Sequence, residues 1–241
     1  MNYYEKIDLK NVPCHIGIIM DGNGRWARAR NLPRYFGHKA GSDRVIDIVE
    51  ASYNLGIKSL SLYAFSTENW KRPKDEIFKL MDLIIYYIKT QLSKIKINNI
   101  KINILGEINP LPTPVKTEII RALDETKNNS GMNLNIGLNY GGQDEILKAV
   151  KNISSDILDK KFSIDKIDKD LFESYLYTKG QGALDLLIRP SGELRISNFM
   201  LWQLAYSEFY FSDVLWPDFN ENELYKAIVS YQKRDRRFGG L

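Results

Sequence analysis

Cysteine and long hydrophobic runs are scarce in this 241-residue chain. Cys14 is the one cysteine, so no disulfide can form within the chain, and apart from the adjacent His15 no residue near it has zinc-ligand spacing. We expect Cys14 to be a small buried apolar residue. The longest apolar stretches, such as residues 83–88, fall far short of the ~18–20 residues that span a bilayer, and no signal-peptide pattern is present. The sequence therefore predicts a cytoplasmic protein.

Strong charge and nucleotide-binding motifs are also missing. The 34 Lys and Arg residues nearly balance the 30 Asp and Glu residues, which leaves a formal net charge of +4. Bulk charge of this size does not require a nucleic-acid partner. The sequence has neither G-x-x-x-x-G-K-[ST] nor a G-x-G-x-x-G after a strand, which argues against nucleoside triphosphate and dinucleotide binding.

Short apolar runs alternate with helical patterns along the chain. This alternation favours an α/β fold with a parallel sheet and helices on both of its faces. Because there is no repeat, low-complexity tract or linker, we expect one domain over residues 1–241 with a central six-stranded sheet. The predicted strands are residues 15–20, 59–65, 101–105, 133–138, 184–189 and 208–211, and the predicted helices are residues 41–55, 74–97, 115–127, 144–157, 169–176 and 221–234.

Polar residues follow three of the predicted strands. In open parallel sheets, ligands bind outside the carboxyl ends of the strands, so we expect these residues to share one edge. Arginines would then reach that edge from three separate loops. The residues are Asp21, Asn23 and Arg25 after the first strand, Ser66, Glu68, Asn69 and Arg72 after the second, and Arg189, Ser191, Glu193, Arg195 and Ser197 after the fifth.

The first of these loops has the composition of a phosphate site. Arginine forks and backbone N–H groups of Gly-rich turns hold phosphates, and residues 21–25 supply both. A carboxylate in such a basic site is suited to bind a magnesium ion that bridges phosphate oxygens, and Asp21 is the candidate. Asp-Gly-Asn-Gly is also ordinary turn chemistry, and an arginine after a strand is commonly a surface salt-bridge partner. The interpretation therefore depends on the combination.

Longer strings in the sequence resemble the cis-prenyltransferases, specifically the bacterial undecaprenyl diphosphate synthases. The match runs in order from about residue 15 to the C-terminus. It rests on His15-Ile-Gly-Ile-Ile-Met-Asp-Gly-Asn-Gly-Arg-Trp26, Gly37-His-Lys-Ala-Gly41, Leu62-Tyr-Ala-Phe-Ser-Thr-Glu-Asn-Trp70, Arg72-Pro73, Ile188-Arg189, Arg195-Ile-Ser-Asn-Phe199, Leu201-Trp-Gln203, Tyr206, Glu208-Phe-Tyr210, Leu215-Trp-Pro-Asp-Phe219 and Arg236-Arg-Phe-Gly-Gly240.

The resemblance implies a magnesium-dependent enzyme that condenses isopentenyl diphosphate units onto an allylic diphosphate such as farnesyl diphosphate. The product would be a long-chain cis-polyprenyl diphosphate such as undecaprenyl diphosphate, the lipid carrier precursor for peptidoglycan synthesis. The resemblance further implies a homodimer with a hydrophobic tunnel in each subunit. Transient contact with the membrane surface would let the product leave, and no nucleic acid is involved.

The resemblance also assigns roles to individual residues. Asp21 corresponds to the catalytic, magnesium-binding aspartate, and Asn69 to the position described as the proton acceptor. Glu208 corresponds to a second magnesium ligand that acts across the dimer, and Arg237 with Gly239 to an element that reaches the partner's site. The substrate-binding positions are Gly22, Asn23, Gly24, Arg25, Arg34 and His38 for the allylic diphosphate, Trp26, Ser66, Thr67, Glu68, Trp70 and Arg72 for further contacts, and Arg189, Arg195, Ile196 and Ser197 for isopentenyl diphosphate.

Three positions depart from the family pattern, namely Pro190, Leu194 and Gln143. Leu194 can neither ligate a metal nor donate a hydrogen bond, so no side-chain role is expected there. A neutral amide is a poor base, which makes a literal proton-acceptor role for Asn69 physically awkward unless water or the diphosphate takes part.

Several alternatives remain open from the sequence. The wide apolar arc of the helix at residues 74–97 fits either a tunnel wall or packing on both the sheet and a neighbouring helix. A non-catalytic partner subunit would keep the fold but lose active-site residues, whereas Asp21, Asn69, Arg189 and Arg195 are present. A phosphate-ester module for RNA would use the same arginines without needing a tunnel.

Overall fold

The computed structural model of the protein describes residues 2–235 and contains one six-stranded sheet. The strand order is β3-β4-β2-β1-β5-β6, and every neighbouring pair is parallel. The prediction of a six-stranded parallel sheet is thereby confirmed. The strands are β1 (His15–Ile19), β2 (Ser59–Ser66), β3 (Lys101–Leu105), β4 (Asn133–Tyr140), β5 (Leu186–Arg189) and β6 (Glu208–Phe211).

Seven α-helices lie in the described part of the chain, with short 3-10 helices at Tyr4–Lys6, Thr67–Lys71, Ile164–Lys166 and Trp216–Asp218. None of the helices within residues 2–235 is long and apolar enough to cross a membrane. The α-helices are α1 (Asn23–Ala29), α2 (Arg34–Asn54), α3 (Lys74–Ile97), α4 (Thr113–Thr126), α5 (Gly142–Leu158), α6 (Lys169–Glu173) and α7 (Glu221–Gln232).

Most predicted elements agree with the structure, and the main differences lie near the site. Helix α1 was not predicted, and α2 begins at Arg34 rather than at residue 41. Pro33 precedes α2, and a proline there supplies an extended residue that begins the helix. Helix α3 has the predicted bounds. It has acidic residues in its first turn and lysines in its last turn, and charges of these signs at these ends interact favourably with the helix dipole.

The sheet is buried on both faces. Ile16, Ile18 and Leu62 contact α2 and α7 residues on one face, whereas Tyr63 and Phe199 pack on the other. Parallel strands covered on both sides are expected to be continuously apolar, and all five residues of β1 are buried.

The expectation for Cys14 was wrong, because this residue is exposed. Strand β1 begins at His15, so Cys14 lies in the connection before the sheet. The backbone N–H of Cys14 donates a hydrogen bond of 2.8 Å to Asp185 Oδ2.

A row of polar side chains crosses the strands on the face that carries Tyr63. His15 Nε2 lies 2.7 Å from Ser61 Oγ, and Asn135 Nδ2 donates to the same oxygen over 2.9 Å. Asn135 also exchanges hydrogen bonds with Gln181. Burial lowers the pKa of His15 to about 4, against weaker opposing effects of a backbone hydrogen bond to Gly182 and of the charge of Asp185.

A largely apolar cavity lies between α2, α3 and the opposite face of the sheet. Its volume is about 1380 Å³, including its open mouth. Helix α3 serves both roles that its sequence pattern allowed, because one part of its arc lines this cavity and another packs in the core. Leu80, Ile84, Tyr87 and Ile88 line the cavity, and Ile77, Met81 and Leu92 are core residues.

Candidate active site

Asp21 and Arg189 meet at the carboxyl edge of the sheet. Strands β1 and β5 are neighbours, with Ile18 opposite Ile188, so the residues after the two strands emerge side by side. Arg189 Nη2 donates to Asp21 Oδ2 over 3.0 Å, and the Gly22 N–H donates to Asp21 Oδ1 over 2.6 Å. The sequence prediction that these two loops share an edge is therefore confirmed.

The environment of Asp21 favours its ionised form. Burial acts to raise the pKa of Asp21, but the hydrogen bond and positive charge of Arg189 outweigh it, with further contributions from the Gly22 N–H and Arg25. The pKa of this carboxyl group consequently lies below its ordinary value. An ionised carboxylate, 31% exposed at the sheet edge, can act as a cation ligand.

Arg25 extends the cluster toward the loop after β5. Its guanidinium lies 3.5 Å from the Asp21 carboxylate, 3.1 Å from Glu193, and 2.9 Å from the Ser191 carbonyl oxygen. Arg195, whose side chain is exposed, also contacts Glu193. Acidic partners therefore hold both arginines at the edge while leaving them accessible to an anion.

The loop after β5 keeps buried polar atoms without partners. Arg189 Nη1 donates to the Arg195 carbonyl and to Ser197 Oγ, the latter over 2.8 Å. Arg189 Nε and Ser191 Oγ are buried, and no protein partner for either lies within residues 2–235. Ser191, Ser197 and Asn198 have positive φ angles of 84°, 48° and 62°. Strained backbone and unsatisfied polar groups cluster at ligand sites, which points to this loop as one.

A second cationic cluster surrounds Glu76 in the first turn of α3. Glu76 accepts from Arg34 over 2.9 Å and from Arg72 over 3.2 Å, and it lies 3.3 Å from His38 Nε2. Burial is the main cause that lowers the pKa of His38; Arg72 and Arg34 also lower it, whereas Glu76 opposes the shift. Glu76 was not predicted, and its one sequence signal is that it stands four residues after Arg72, within helical contact distance.

Most side chains described for the 3-10 helix Thr67–Lys71, which follows β2, are hydrogen-bonded to other protein groups. Asn69 Oδ1 accepts the Ser66 N–H over 3.2 Å in a reciprocal cap, so the amide oxygen is already used. Trp70 Nε1 donates to Asn139 over 2.7 Å, and Thr67 bonds to Asp144. Glu68 accepts from Asn198 over 3.0 Å, which ties this segment to the loop after β5.

Close packing of α1 on α2 positions the first loop. A Cβ atom at Gly37 would lie 2.0 Å from the Asn23 carbonyl oxygen, and one at Gly41 would lie 2.2 Å from Asn23 Oδ1. Only glycine permits this approach. Asn23 Oδ1 is buried without a partner within residues 2–235, and Asn23 lines the cavity. Trp26 faces away from it, bonded to Asp218 over 2.7 Å and stacked with Arg30.

Residues next to both cationic clusters line one end of the cavity. Asn23 and His38 both line it, and a Cβ atom at Gly24 would lie 2.9 Å from Arg34 Nε. Arg34 is thus in contact with the loop that carries Asp21. An apolar cavity with groups suited to bind anions near one end can accept a molecule with an anionic head and a hydrocarbon tail.

Of the predicted metal ligands, Glu208 lies away from this site in the described part of the chain. Glu208 begins β6 opposite Leu186, at the start of β5, and bonds to Arg234 over 2.6 Å. It is therefore displaced toward the amino edge, so its role across a dimer stays a prediction. Arg237 and Gly239 lie outside the described residues. Leu194 is 77% exposed, and the Gln143 side chain is likewise exposed.

The residues fit a magnesium ion that arrives with a phosphate substrate. Within residues 2–235 no group of three or more acidic, His or Cys side chains forms a complete metal cage. Magnesium is commonly bound through one or two carboxylates, with water and substrate phosphates completing its octahedron. Asp21 supplies such a carboxylate beside arginines that can bind the same phosphates.

Comparison with known proteins gave consistent matches. A family model described as "Putative undecaprenyl diphosphate synthase" matches residues 19–239. An isoprenyl transferase of Clostridium tetani is 53% identical over 98% of this chain and 92% of its own length. The Pasteurella multocida protein named ditrans,polycis-undecaprenyl-diphosphate synthase ((2E,6E)-farnesyl-diphosphate specific) is 48% identical over 98% of both chains.

Two solved structures are similar over nearly their whole length. Lavandulyl diphosphate synthase from Lavandula x intermedia, in complex with dimethylallyl diphosphate, has a TM-score of 0.91 and 35% identity, covering 95% of this chain and 98% of that one. A probable undecaprenyl diphosphate synthase from Campylobacter jejuni has a TM-score of 0.78 and 31% identity, covering 95% and 99%.

Proposed function

The chain belongs to the undecaprenyl diphosphate synthase family of prenyltransferases, and we propose that it adds isopentenyl diphosphate units to farnesyl diphosphate to give a long-chain cis-polyprenyl diphosphate. The product would be undecaprenyl diphosphate or a close homologue, used as the lipid carrier precursor for peptidoglycan. The observation that carries this proposal is the largely apolar cavity that has the two cationic clusters near one of its ends.

The two clusters divide the substrates between them. Arg34, His38 and Arg72 surround Glu76 beside the cavity mouth, so they suit the allylic diphosphate, whose hydrocarbon tail enters the cavity. Arg189, Arg195 and Ser197 form the other cluster, with buried donors still available for the isopentenyl diphosphate headgroup. Arg25, beside Asp21 and Glu193, is a further cation that suits a diphosphate.

Departure of the allylic diphosphate builds negative charge that the site must stabilise. Asp21 would hold a magnesium ion, which would supply positive charge for the phosphate oxygens of the leaving group. Arg25 beside Asp21, with Arg34 and Arg72 beside Glu76, would provide fixed positive charge that requires no reorganisation during the reaction. The cavity excludes water from the allylic carbon, so the isopentenyl double bond attacks it in preference to water.

Loss of a proton completes each addition and sets the cis double bond. Asn69 is a weak candidate for the base itself, because a neutral amide binds protons poorly and its oxygen already accepts the Ser66 N–H. We propose that Asn69 instead positions a water molecule or a diphosphate oxygen, which takes the proton.

Assembly and location are further parts of the proposal. A homodimer would bring Glu208 of one subunit, as a second magnesium ligand, and Arg237 with Gly239 to the site of the other. The whole chain would act as one catalytic domain. We place it in the cytoplasm, with transient contact at the membrane surface where the product leaves.

Two other activities are less well supported. A non-catalytic partner subunit would have no use for Asp21, Arg189 and Arg25 joined at one edge. An RNA-binding module would have no use for the apolar cavity.

The similarity to the lavender enzyme makes dimethylallyl diphosphate a starter that the assay must include.

Incorporation of radiolabelled isopentenyl diphosphate into extractable lipid tests the function. Farnesyl, geranyl and dimethylallyl diphosphates are supplied separately, with magnesium or with chelator, and products are resolved by chain length. The proposal predicts magnesium-dependent long-chain product from farnesyl diphosphate. Absence of incorporation with every starter would refute it and favour the partner-subunit alternative.

A further inference from the structure

The cavity runs along α2 and α3 from the diphosphate-binding edge toward the opposite edge of the sheet. Three contacts show that the two helices are parallel. Arg34 bonds to Glu76 near the helix starts, Tyr87 bonds to Asp43 over 2.5 Å farther along, and Lys94 bonds to Glu50 near the ends. Lys94 lies five turns beyond Glu76, a distance of about 27 Å along α3.

Polar residues join the lining of the cavity at its far end. Leu80, Ile84 and Ile88 of α3 face the cavity along its length, opposite Val45 and Val49 of α2. At the far end the lining includes the polar residues Gln91, Lys94, Asn98 and Glu50, beside the apolar residues Ile95, Ile100 and Ile102.

An ion pair joins the helices at this polar end. Lys94 Nζ lies 2.8 Å from Glu50 Oε2, and the two side chains are 50% and 46% exposed. They therefore stand between the cavity and solvent. A hydrocarbon chain that reached this point would displace water from two charged groups, which costs free energy.

We propose that the Glu50–Lys94 ion pair closes the far end of the cavity and limits the number of isopentenyl units that are added. This inference rests on the proposed function. Each addition pushes the growing end farther from the diphosphate by one five-carbon unit. While the lining is apolar, the added carbons are removed from water, and this favours elongation. At the ion pair, the cost of desolvating two charged groups offsets that gain, so termination competes with the next addition.

A matched ion pair on the same helix provides the control. Lys96 Nζ lies 2.8 Å from Glu125 Oε2 and joins α3 to α4, with side-chain exposures of 45% and 32%. Neither residue lines the cavity. Loss of this pair changes surface charge and helix–helix contact much as loss of the Glu50–Lys94 pair does, but it leaves the cavity end unchanged.

Product length in four proteins tests the proposal. The wild type is compared with a Glu50→Leu/Lys94→Leu variant, a Lys96→Leu/Glu125→Leu control and a Glu50→Lys/Lys94→Glu swap, all assayed with labelled isopentenyl diphosphate and farnesyl diphosphate. We expect the first variant to shift the main product by at least one five-carbon unit toward longer chains. The control and the swap, which restores the ion pair, should keep the wild-type length.

The outcomes separate this inference from the proposed function. Product from all four proteins with the same length distribution would overturn the role of the ion pair while leaving prenyl transfer intact. A shift in the control as large as that in the Glu50→Leu/Lys94→Leu variant would also overturn it, because the effect would then not depend on the cavity. Absence of product from the wild type would refute the function itself.

Discussion

Arg189 donates a hydrogen bond to Asp21 over 3.0 Å, although the two residues are 168 positions apart in the chain. The Arg189 side chain is 3% exposed, so its charge is held almost entirely within the protein. Asp21 is its carboxylate partner, and removing one member of such a pair leaves an uncompensated buried charge. Asp21 therefore has a structural role beside the proposed magnesium site, and a substitution there must keep an acceptor for Arg189.

Titration of the two histidines tests the electrostatics of the Glu76 cluster. The carboxylate of Glu76 raises the pKa of His38 against the dominant effect of burial. A Glu76→Gln substitution should therefore lower the pKa of His38 further, while the pKa of His15 stays at about 4. The chain has only two histidines, so imidazole NMR signals followed against pH can be assigned. A Glu50→Gln control should move neither, and an unchanged or higher His38 pKa in Glu76→Gln would contradict the geometry.

Buried His15 should make stability depend on pH. The pKa of His15 is about 4 in the folded protein, against 6.5 for an ordinary histidine. Between pH 4 and pH 6.5 the unfolded chain therefore binds more protons than the folded protein. The free energy of unfolding consequently falls as the pH falls through this range. From pH 7 to pH 5 the expected loss is about 2 kcal/mol, because one pKa unit corresponds to about 1.4 kcal/mol. Urea unfolding of wild type and His15→Gln at both pH values measures it. Equal losses in the two proteins would show that His15 does not contribute.

The elements of the fold that could be predicted are those with a clear spacing of apolar residues in the sequence. Strand β3, strand β6 and helix α3 have the predicted bounds because each is a continuous pattern between clear breaks. Helix α1 was missed, since Asp21-Gly-Asn-Gly24 has turn composition and the helix begins inside it at Asn23. The first turns of α2 were missed because Gly37 and Gly41 replace the apolar residues that a core-facing stripe would carry.

The site residues that could be predicted from the sequence are those that directly follow a strand. Asp21 and Arg189 each come at a strand end, so a parallel sheet brings them to one edge. Glu76 lies within a helix and meets Arg34 and His38 only through the packing of α2 beside α3. Such long-range pairing depends on tertiary structure. The resemblance had already matched Arg34, His38 and Arg72, but it did not include the carboxylate that holds them together.

A methyl group at position 41 should disturb the first loop. In most helices Gly→Ala gains about 1 kcal/mol of stability, but here the new Cβ atom would lie 2.2 Å from Asn23 Oδ1 and 2.9 Å from Trp216. We expect Gly41→Ala to lose roughly 1–3 kcal/mol through overpacking and to lower activity by displacing Asn23. Ser42→Ala, at the next position, is the control. Thermal unfolding and the incorporation assay measure both effects, and a stabilised, fully active Gly41→Ala protein would contradict the packing described.

The measurement that tests the central claim most directly is the magnesium dependence of isopentenyl incorporation in Asp21→Asn. Asparagine keeps an acceptor oxygen for Arg189, so the variant should fold. The control is Asp47→Asn, which loses a surface ion pair with Arg44. The account predicts that Asp21→Asn loses about 2–4 kcal/mol of transition-state stabilisation, a fall of roughly 30- to 1000-fold, whereas Asp47→Asn retains wild-type activity. A folded Asp21→Asn protein with wild-type rate and magnesium response would contradict it.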